Sequence, residues 1–110
     1  MPAHGRGPVD LDPPQGPEQA GNRPVLVVSD AALNGRPRGL VVVCPITGTD
    51  RGIPTHVPVA PPEAGLSRPS VIMVEQIRSV STTRLGRRIG EVSPETMSLV
   101  DQCLELVLRL

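Results

Sequence analysis

Two valine-rich runs most constrain how this chain can fold. Residues 24–29 read PVLVVS and residues 40–46 read LVVVCPI, and both are short, continuous stretches of mostly β-branched side chains. Runs of this length and composition predict strands that are buried on both faces. A chain of 110 residues is long enough for one hydrophobic core and not for two. We therefore predict a single domain over residues 8–110, preceded by a disordered segment at residues 1–7.

Four other segments are also predicted to be strands. Alternating or aliphatic patterns mark them at residues 9–11, 55–59, 70–80 and 87–92. Pro58 interrupts the second of these, which indicates an edge strand because proline cannot donate a hydrogen bond to the ladder. Glu75 interrupts the third between two nearly continuous halves. Short strands at such close spacing indicate a small β-barrel.

The last part of the chain predicts a helix. Ser93, Pro94 and Glu95 mark its start, because serine supplies a cap oxygen, proline fits the first turn and glutamate favours the positive helix end. An apolar stripe follows at three- and four-residue steps, made of Met97, Val100, Leu104 and Val107. We therefore predict a mostly β fold, a small barrel that carries one C-terminal helix.

The composition narrows the class of partner. The chain has no Phe, Tyr or Trp, which excludes an aromatic platform for stacking nucleic-acid bases. All eleven of its cationic side chains are arginine, the better donor to phosphate because its planar fork bonds two oxygens at once. A codon bias toward GC-rich triplets accounts for the arginines as well. The net charge is zero, but residues 51–90 carry six Arg against two Glu, which suits an anionic partner on one face.

Metal-binding, membrane-spanning and disulfide-bonded structures find no support in the sequence. His4, Cys44, His56 and Cys103 are scattered singly, so no metal-ligand spacing occurs and neither a metal nor a cofactor is expected. No run of about eighteen apolar residues and no signal-peptide pattern is present, so we expect a soluble, cytoplasmic protein. Both cysteines lie in apolar stretches, which favours buried, reduced thiols over a disulfide.

Ordered segments along nearly the whole chain resemble the MazF/PemK family of toxin endoribonucleases. From Val9 onward they read DLDPPQGPEQAGNRPVLVVSDAALN, VVVCPIT, THVPV, RPSVIMVEQIRSV, RLGRRIGEVSPETM and VDQCLELVL. Met73 and Pro17 stand where PemK-like members carry other residues, which places the chain nearer MazF. The resemblance implies a toxin of a type II toxin–antitoxin system, with an SH3-like β-barrel, a C-terminal helix and a homodimer. It also implies metal-independent, sequence-specific cleavage of single-stranded mRNA, and inhibition by a cognate antitoxin whose flexible acidic tail fills the RNA groove.

The resemblance assigns catalysis to Arg23 and Thr47. Arg23 precedes the first valine-rich run and Thr47 follows the second. Without a metal, RNA is cleaved when the 2′-hydroxyl attacks its own phosphate, so negative charge builds on the phosphoryl oxygens. A fixed guanidinium and a hydroxyl donor stabilise that charge where it develops. If the strand that starts after Arg23 lies beside the strand that ends before Thr47, the guanidinium and the hydroxyl can lie at the same end of the barrel.

Further polar residues complete the predicted site. Glu18 and Glu75 are candidates for the general base, because arginine is always protonated and is a poor base. A salt bridge that orients Arg23 is an equally good interpretation of either carboxylate. His56 is expected to be a half-buried structural residue. Contacts with RNA are expected from Gln19, Asn22, Arg51 and Arg78.

The first strand departs from the family pattern. The stretch RGPVDLDP at residues 6–13 is about three residues shorter than the family's usual first strand and puts Pro8 where a ladder donor is expected. We therefore expect a damaged strand and a mobile loop behind it. An active ribonuclease is the first interpretation. The alternatives are a catalytically weak member that acts mainly as an antitoxin-binding module, and a gyrase-poisoning relative.

Overall fold

The computed structural model describes residues 7–11, 23–30 and 39–109 of the chain. These residues form seven strands, β1 (Gly7–Leu11), β2 (Arg23–Val27), β3 (Leu40–Thr47), β4 (His56–Val59), β5 (Ser70–Met73), β6 (Arg78–Ser81) and β7 (Leu85–Arg88), and then a helix, α1 (Pro94–Leu108). Short 3-10 turns lie at Glu63–Gly65, Val74–Gln76 and Thr82–Arg84. The predicted disordered segment lies outside the described residues except for Gly7, which belongs to β1.

The strands form one curled antiparallel sheet. Its order is β4-β5-β3-β2-β1-β7, and β6 also pairs with β3. β3 reaches two partners along one edge, because its first half pairs with β6 and its end pairs with β5. β4 lies at the edge of the sheet, as Pro58 predicted. The predicted mostly β fold, a small barrel with a C-terminal helix, is confirmed.

Two strand predictions are wrong in their boundaries. Residues 70–80 are not nearly one strand, because the turn at Val74–Gln76 moves the chain from the end of β3 to its start. Val74 is fully buried in this turn, so core packing maintains the interruption. The last strand ends at Arg88, short of the predicted residues 87–92. The residues after it leave the sheet because Glu91 O accepts a hydrogen bond from Ala64 N at 2.8 Å.

The first strand pairs with β2 along its whole length, with one register shift between Val9 and Leu11 against β7, so the expectation of a damaged strand is wrong. β1 pairs with β2 through five consecutive residues, and Pro8 lies opposite Leu26. Pro8 O accepts a hydrogen bond from Ile89 N at 3.3 Å. The N–H and C=O of a strand residue face the same neighbour, so the missing N–H of Pro8 faces the end of β7, where the ladder stops. The loop expected to be mobile behind this strand lies outside the described residues.

Two apolar clusters bury β2 and β3 on both faces, as the valine-rich runs predicted. Successive side chains of a strand point to opposite faces, so Leu26 joins one cluster while Val25 and Val27 join the other. The cluster under α1 also contains Cys44, Ile46, Val57, Ile72, Val74 and Val100. The cluster on the opposite face also contains Val41, Val43 and Val80.

The helix begins where the sequence predicted. Ser93 Oγ accepts a hydrogen bond from Thr96 N at 3.1 Å, and Pro94 is the first helical residue. Val100 is fully buried, and the rest of the predicted apolar stripe, Met97, Leu104 and Val107, packs against the same cluster. Among the described residues, no helix is long and apolar enough to cross a membrane.

Candidate active site

A cleft of about 530 Å³ opens where β2 begins and β3 ends. Arg23 is the first residue of β2 and Thr47 is the last residue of β3. In the antiparallel pairing Val25 lies opposite Pro45, and continuing that register by two residues brings Arg23 opposite Thr47. Both residues line the cleft. The structure therefore brings together the two residues to which the resemblance assigned catalysis.

A further wall of the cleft comes from the segment that precedes β5. β5 runs antiparallel to the end of β3, with Val71 opposite Thr47. The residues just before β5 therefore lie beside those just after β3. The full lining is Arg23, Pro24, Ile46, Thr47, Gly48, Leu66, Ser67, Arg68 and Ser70. Ser67, Arg68 and Ser70 were not predicted from the sequence. Their signal was a polar segment with an arginine at the start of a predicted strand, but only the pairing of β5 with β3 shows where that segment lies.

The hydroxyl group of Thr47 is oriented by the chain that follows it. Thr47 Oγ1 accepts a hydrogen bond from Thr49 N at 3.3 Å. A hydroxyl has one proton to donate besides the lone pairs that accept. With one lone pair engaged by the backbone, Thr47 retains its proton as a donor toward an anion in the cleft.

The cleft is cationic. It holds the guanidinium groups of Arg23 and Arg68, and no carboxylate occurs among the described residues that line it. Both arginines are exposed to solvent. Guanidinium groups stay protonated at any physiological pH and bond the oxygens of phosphate in a fork. The arrangement therefore suits an anionic ligand with phosphate or carboxylate oxygens.

Glu75 lies in a separate polar cluster and does not line the cleft. It accepts hydrogen bonds from Thr55 Oγ1 at 2.8 Å and from His56 Nε2 at 2.9 Å. Burial raises the pKa of Glu75, but the hydrogen bonds from His56 and Thr55 outweigh that effect and lower its pKa below the ordinary value. His56 is half-buried as a residue, as predicted, although its side chain is only 4% exposed. Its Nδ1 is buried and has no hydrogen-bond partner among the described residues.

The other predicted residues are not brought to the cleft, or lie outside the described residues. Arg51 is exposed in the segment between β3 and β4. Arg78 is exposed in β6, opposite Val43 in the middle of β3. Neither lines the cleft. The remaining predicted residues, Glu18, Gln19 and Asn22, lie outside the described residues.

The surroundings of the two cysteines make both thiols unreactive. Both are free, with Cys44 buried and Cys103 half-buried. Burial, together with the smaller effects of the charges of Glu75 and Cys103, raises the pKa of Cys44 to about 12. Burial also raises the pKa of Cys103. Because the thiolate is the reactive form, neither side chain is a nucleophile at neutral pH. Within the described residues, no three His, Cys, Asp or Glu side chains are grouped to hold a metal ion.

Comparison with known proteins identifies the family. The family described as "PemK-like, MazF-like toxin of type II toxin-antitoxin system" matches residues 8–108. The chain belongs to this toxin family. Among the relatives of this MazF-like toxin is Endoribonuclease EndoA of Bacillus subtilis (strain 168), which is 37% identical over 102 residues, or 92% of this chain and 88% of EndoA.

Solved structures of similar proteins share the fold of this MazF-like toxin. MazF (Form-I) from Deinococcus radiodurans has a TM-score of 0.78 and 31% identity, and the match covers 98% of each chain. An endoribonuclease in complex with its cognate antitoxin from mycobacterial species has a TM-score of 0.76 and 30% identity, and covers 100% of this chain and 97% of that one. The resemblance stated from the sequence is confirmed, including the likeness to MazF.

Proposed function

We propose that this toxin is an endoribonuclease that cleaves single-stranded RNA in the cleft between Arg23 and Thr47. The observation that carries the proposal is the convergence of a guanidinium and an oriented hydroxyl at the meeting point of two strand ends. The relatives from B. subtilis and from mycobacterial species are endoribonucleases.

The proposed reaction is an internal transfer of the phosphoryl group. The 2′-oxygen forms a bond to the adjacent phosphorus while the bond from phosphorus to the 5′-oxygen breaks. The products end in a 2′,3′-cyclic phosphate and a 5′-hydroxyl. The 2′-oxygen loses its proton and the leaving 5′-oxygen gains one. Arg23 and Thr47 donate to the phosphoryl oxygens, where negative charge grows during the reaction, and one such fixed donor contributes about 2–4 kcal/mol.

The proposal also names a general base and further RNA contacts, which are not among the described residues that line the cleft. Glu18 is the proposed base, because Glu75 is engaged by His56 and Thr55 away from the cleft. Contacts with RNA are proposed for Gln19, Asn22, Arg51 and Arg78. In a chain without aromatic residues, polar groups in the loops must read the bases. Because mRNA is the proposed substrate, we propose the cytoplasm as the place of action.

Two protein partners are proposed, an antitoxin and a second copy of the chain. The mycobacterial relative binds its cognate antitoxin, and MazF of D. radiodurans occurs with MazE. A flexible acidic antitoxin tail would compete with RNA, because carboxylates and phosphates are attracted by the same arginines. A homodimer would bury apolar surface that the chain exposes, such as Leu40 and the helix residues Leu99 and Leu106.

The alternative functions are not favoured. A catalytically weak binding module was inferred from a damaged first strand, yet β1 pairs with β2 along its whole length. A gyrase-poisoning role would leave the convergence of Arg23 and Thr47 without a purpose. The relatives named above are endoribonucleases instead.

The test is cleavage of mixed-sequence single-stranded RNA in EDTA, with the new ends mapped. We expect defined 5′-hydroxyl ends from the wild type, and a loss of about 30- to 1000-fold in Arg23→Ala, the equivalent of one fixed donor. Arg87→Ala, which removes an exposed arginine that does not line the cleft, should cleave at the wild-type rate. No cleavage by the wild type would overturn the proposed function. Retention of more than about a third of the rate in Arg23→Ala would remove Arg23 from the mechanism.

A further inference from the structure

We infer that Arg68 forms a second phosphate-binding site in the cleft, distinct from Arg23, which holds the RNA backbone beside the phosphate that reacts. This inference rests on the proposed function and extends it. Arg68 would act as a binding residue, because the reacting phosphate already has Arg23 and Thr47 as its donors. The chemical group recognised is a backbone phosphate, independent of the base attached to it.

The guanidinium of Arg68 lies directly on Gly48. A Cβ atom added to Gly48 would lie 2.7 Å from both Cζ and Nε of Arg68 and 2.8 Å from its Nη2. Side-chain carbons do not approach other atoms that closely, so the absence of a Cβ is what lets the guanidinium rest there. Gly48 directly follows Thr47, and all three residues line the cleft. The guanidinium of Arg68 therefore lies against the residue that directly follows Thr47, in the same cleft.

The backbone that carries Arg68 is anchored before it. Glu63 Oε2 accepts hydrogen bonds from Ser93 N at 2.8 Å and from Thr96 Oγ1 at 2.6 Å, at the start of α1. The next residue, Ala64, donates its N–H to Glu91 O at 2.8 Å. These contacts fix the turn at Glu63–Gly65 against the helix cap. Arg68 follows three residues after the turn.

The backbone is also anchored after Arg68. Ser70 Oγ donates a hydrogen bond to Arg68 O at 3.1 Å, and Ser70 begins β5. A side chain presented from a backbone that is held on both sides loses less conformational freedom when it binds. The backbone on both sides of Arg68 is therefore held in place, and this favours the binding of a ligand in the cleft by Arg68.

The surroundings of Arg68 favour phosphate as that ligand. Arg68 is exposed, and no carboxylate occurs among the described residues that line the cleft. Its planar group can bond two oxygens of one phosphate. Arg23 comes from β2 and Arg68 from the segment before β5, with the end of β3 between them. A single strand of RNA carries one phosphate per nucleotide, so a strand that places one phosphate at Arg23 can offer a neighbouring phosphate to Arg68.

The first experiment measures binding of a mixed-sequence 2′-O-methyl oligoribonucleotide, which cannot be cleaved, over a series of salt concentrations. Arg68→Ala should weaken binding about tenfold at low salt, as the loss of one charged contact does. It should also make the slope of log K against log salt shallower by about 0.7, the value for one phosphate contact with a single strand. Arg87→Ala should leave both the affinity and the slope at their wild-type values. A merely structural role for Arg68 would not change the slope.

The second experiment displaces the guanidinium and keeps its charge. The backbone of Gly48 is outside the left-handed region, and the atoms that a new methyl would meet are the flexible end of Arg68, so Gly48→Ala should fold. Gly48→Ala alone should weaken RNA binding about threefold or more. Added to Arg68→Ala, the same substitution should not weaken binding further. Equal thermal midpoints of unfolding would show that the variants act on binding and not on the fold.

The outcomes separate this inference from the proposed function. Wild-type cleavage together with unchanged affinity and salt slope in Arg68→Ala would overturn the inference alone. Equal losses from Gly48→Ala in the two backgrounds would overturn it as well, because the methyl would then act without Arg68. A wild type that neither binds nor cleaves RNA would overturn the proposed function and the inference together.

Discussion

Glu63 fastens the segment that carries Arg68 to the start of α1, and Glu63→Ala should destabilise the whole domain. Glu63 Oε2 accepts two hydrogen bonds, from Ser93 N at 2.8 Å and from Thr96 Oγ1 at 2.6 Å. Thr96 is only 6% exposed, so water replaces the lost acceptor poorly. Removal of the carboxylate leaves its donors without their partner at the helix cap.

The magnitude follows from these contacts. A hydrogen bond to a charged group contributes about 1.5–3 kcal/mol. The donor at half-buried Ser93 recovers part of its loss from water, so we expect the free energy of unfolding to fall by about 2–4 kcal/mol in total. The unfolding entropy of a chain of this length gives about 4 °C for each kcal/mol. The thermal midpoint should therefore fall by about 8–16 °C.

The stabilisation by Glu63 should depend on pH. Burial raises the pKa of Glu63, but the hydrogen bonds from Thr96 and Ser93 outweigh it, and the pKa in the folded protein lies below its ordinary value. A lowered carboxyl pKa stabilises the fold fully above the unfolded pKa, about 4.3, and this contribution is lost as the pH falls through the folded pKa. The difference between wild type and Glu63→Ala should thus be constant from neutral pH to about pH 5 and shrink below about pH 4.

Urea unfolding followed by circular dichroism at several pH values measures this difference. Glu91→Ala is the matched control, because the side chain of Glu91 forms an exposed ion pair with Arg88 at 3.1 Å, worth less than about 1 kcal/mol, and the substitution keeps the backbone oxygen that accepts from Ala64 N. If Glu63→Ala is no more destabilising than this control, Glu63 does not fasten the segment. A difference that stays constant down to about pH 3 would show that the carboxylate charge plays no part.

The remaining predictions concern the reaction, the buried histidine and the assembly. Thr47→Val keeps the shape of the side chain and removes the hydroxyl, so turnover of RNA should fall more than binding; equal losses would make Thr47 a ground-state contact. Glu75→Ala removes the acceptor of Nε2 of His56, whose side chain is 4% exposed, so the free energy of unfolding should fall by about 1–3 kcal/mol, while the cleavage rate well below the midpoint stays within about twofold. A rate loss far beyond that would restore Glu75 as a candidate base. Light scattering at micromolar concentration should show a homodimer, and a folded monomer there would contradict the predicted assembly.

Local patterns in the sequence were sufficient for most of the elements. The helix start at Ser93 and its apolar stripe depend on neighbours within one or two turns, and both were predicted correctly. The two valine-rich runs became β2 and β3, because a continuous β-branched run suits a strand buried on both faces. The ordered motifs also identified the family, and with it Arg23 and Thr47 as the residues to examine.

Contacts between distant parts of the chain changed several of these predictions. Pro8 suggests a broken ladder when it is read alone, but its missing N–H faces the end of β7, which only the strand order reveals. Glu75 is a candidate base on the sequence, whereas the structure places it against His56 and Thr55 and not among the described residues that line the cleft. The early end of β7 likewise depends on the turn at Glu63–Gly65, more than twenty residues earlier in the chain.

The residues that line the cleft could be predicted from the sequence only in part. The chemistry of Arg68 is as plain in the sequence as that of Arg23, yet nothing near Arg68 in the chain connects it with Thr47. That connection exists because β5 pairs with the end of β3 and Gly48 leaves room for a guanidinium. A residue's own preferences and those of its neighbours determine whether it lies in a strand, a turn or a helix. Which strand ends meet is decided by how the strands pair and how their two apolar faces are buried, and that is a property of the tertiary structure alone.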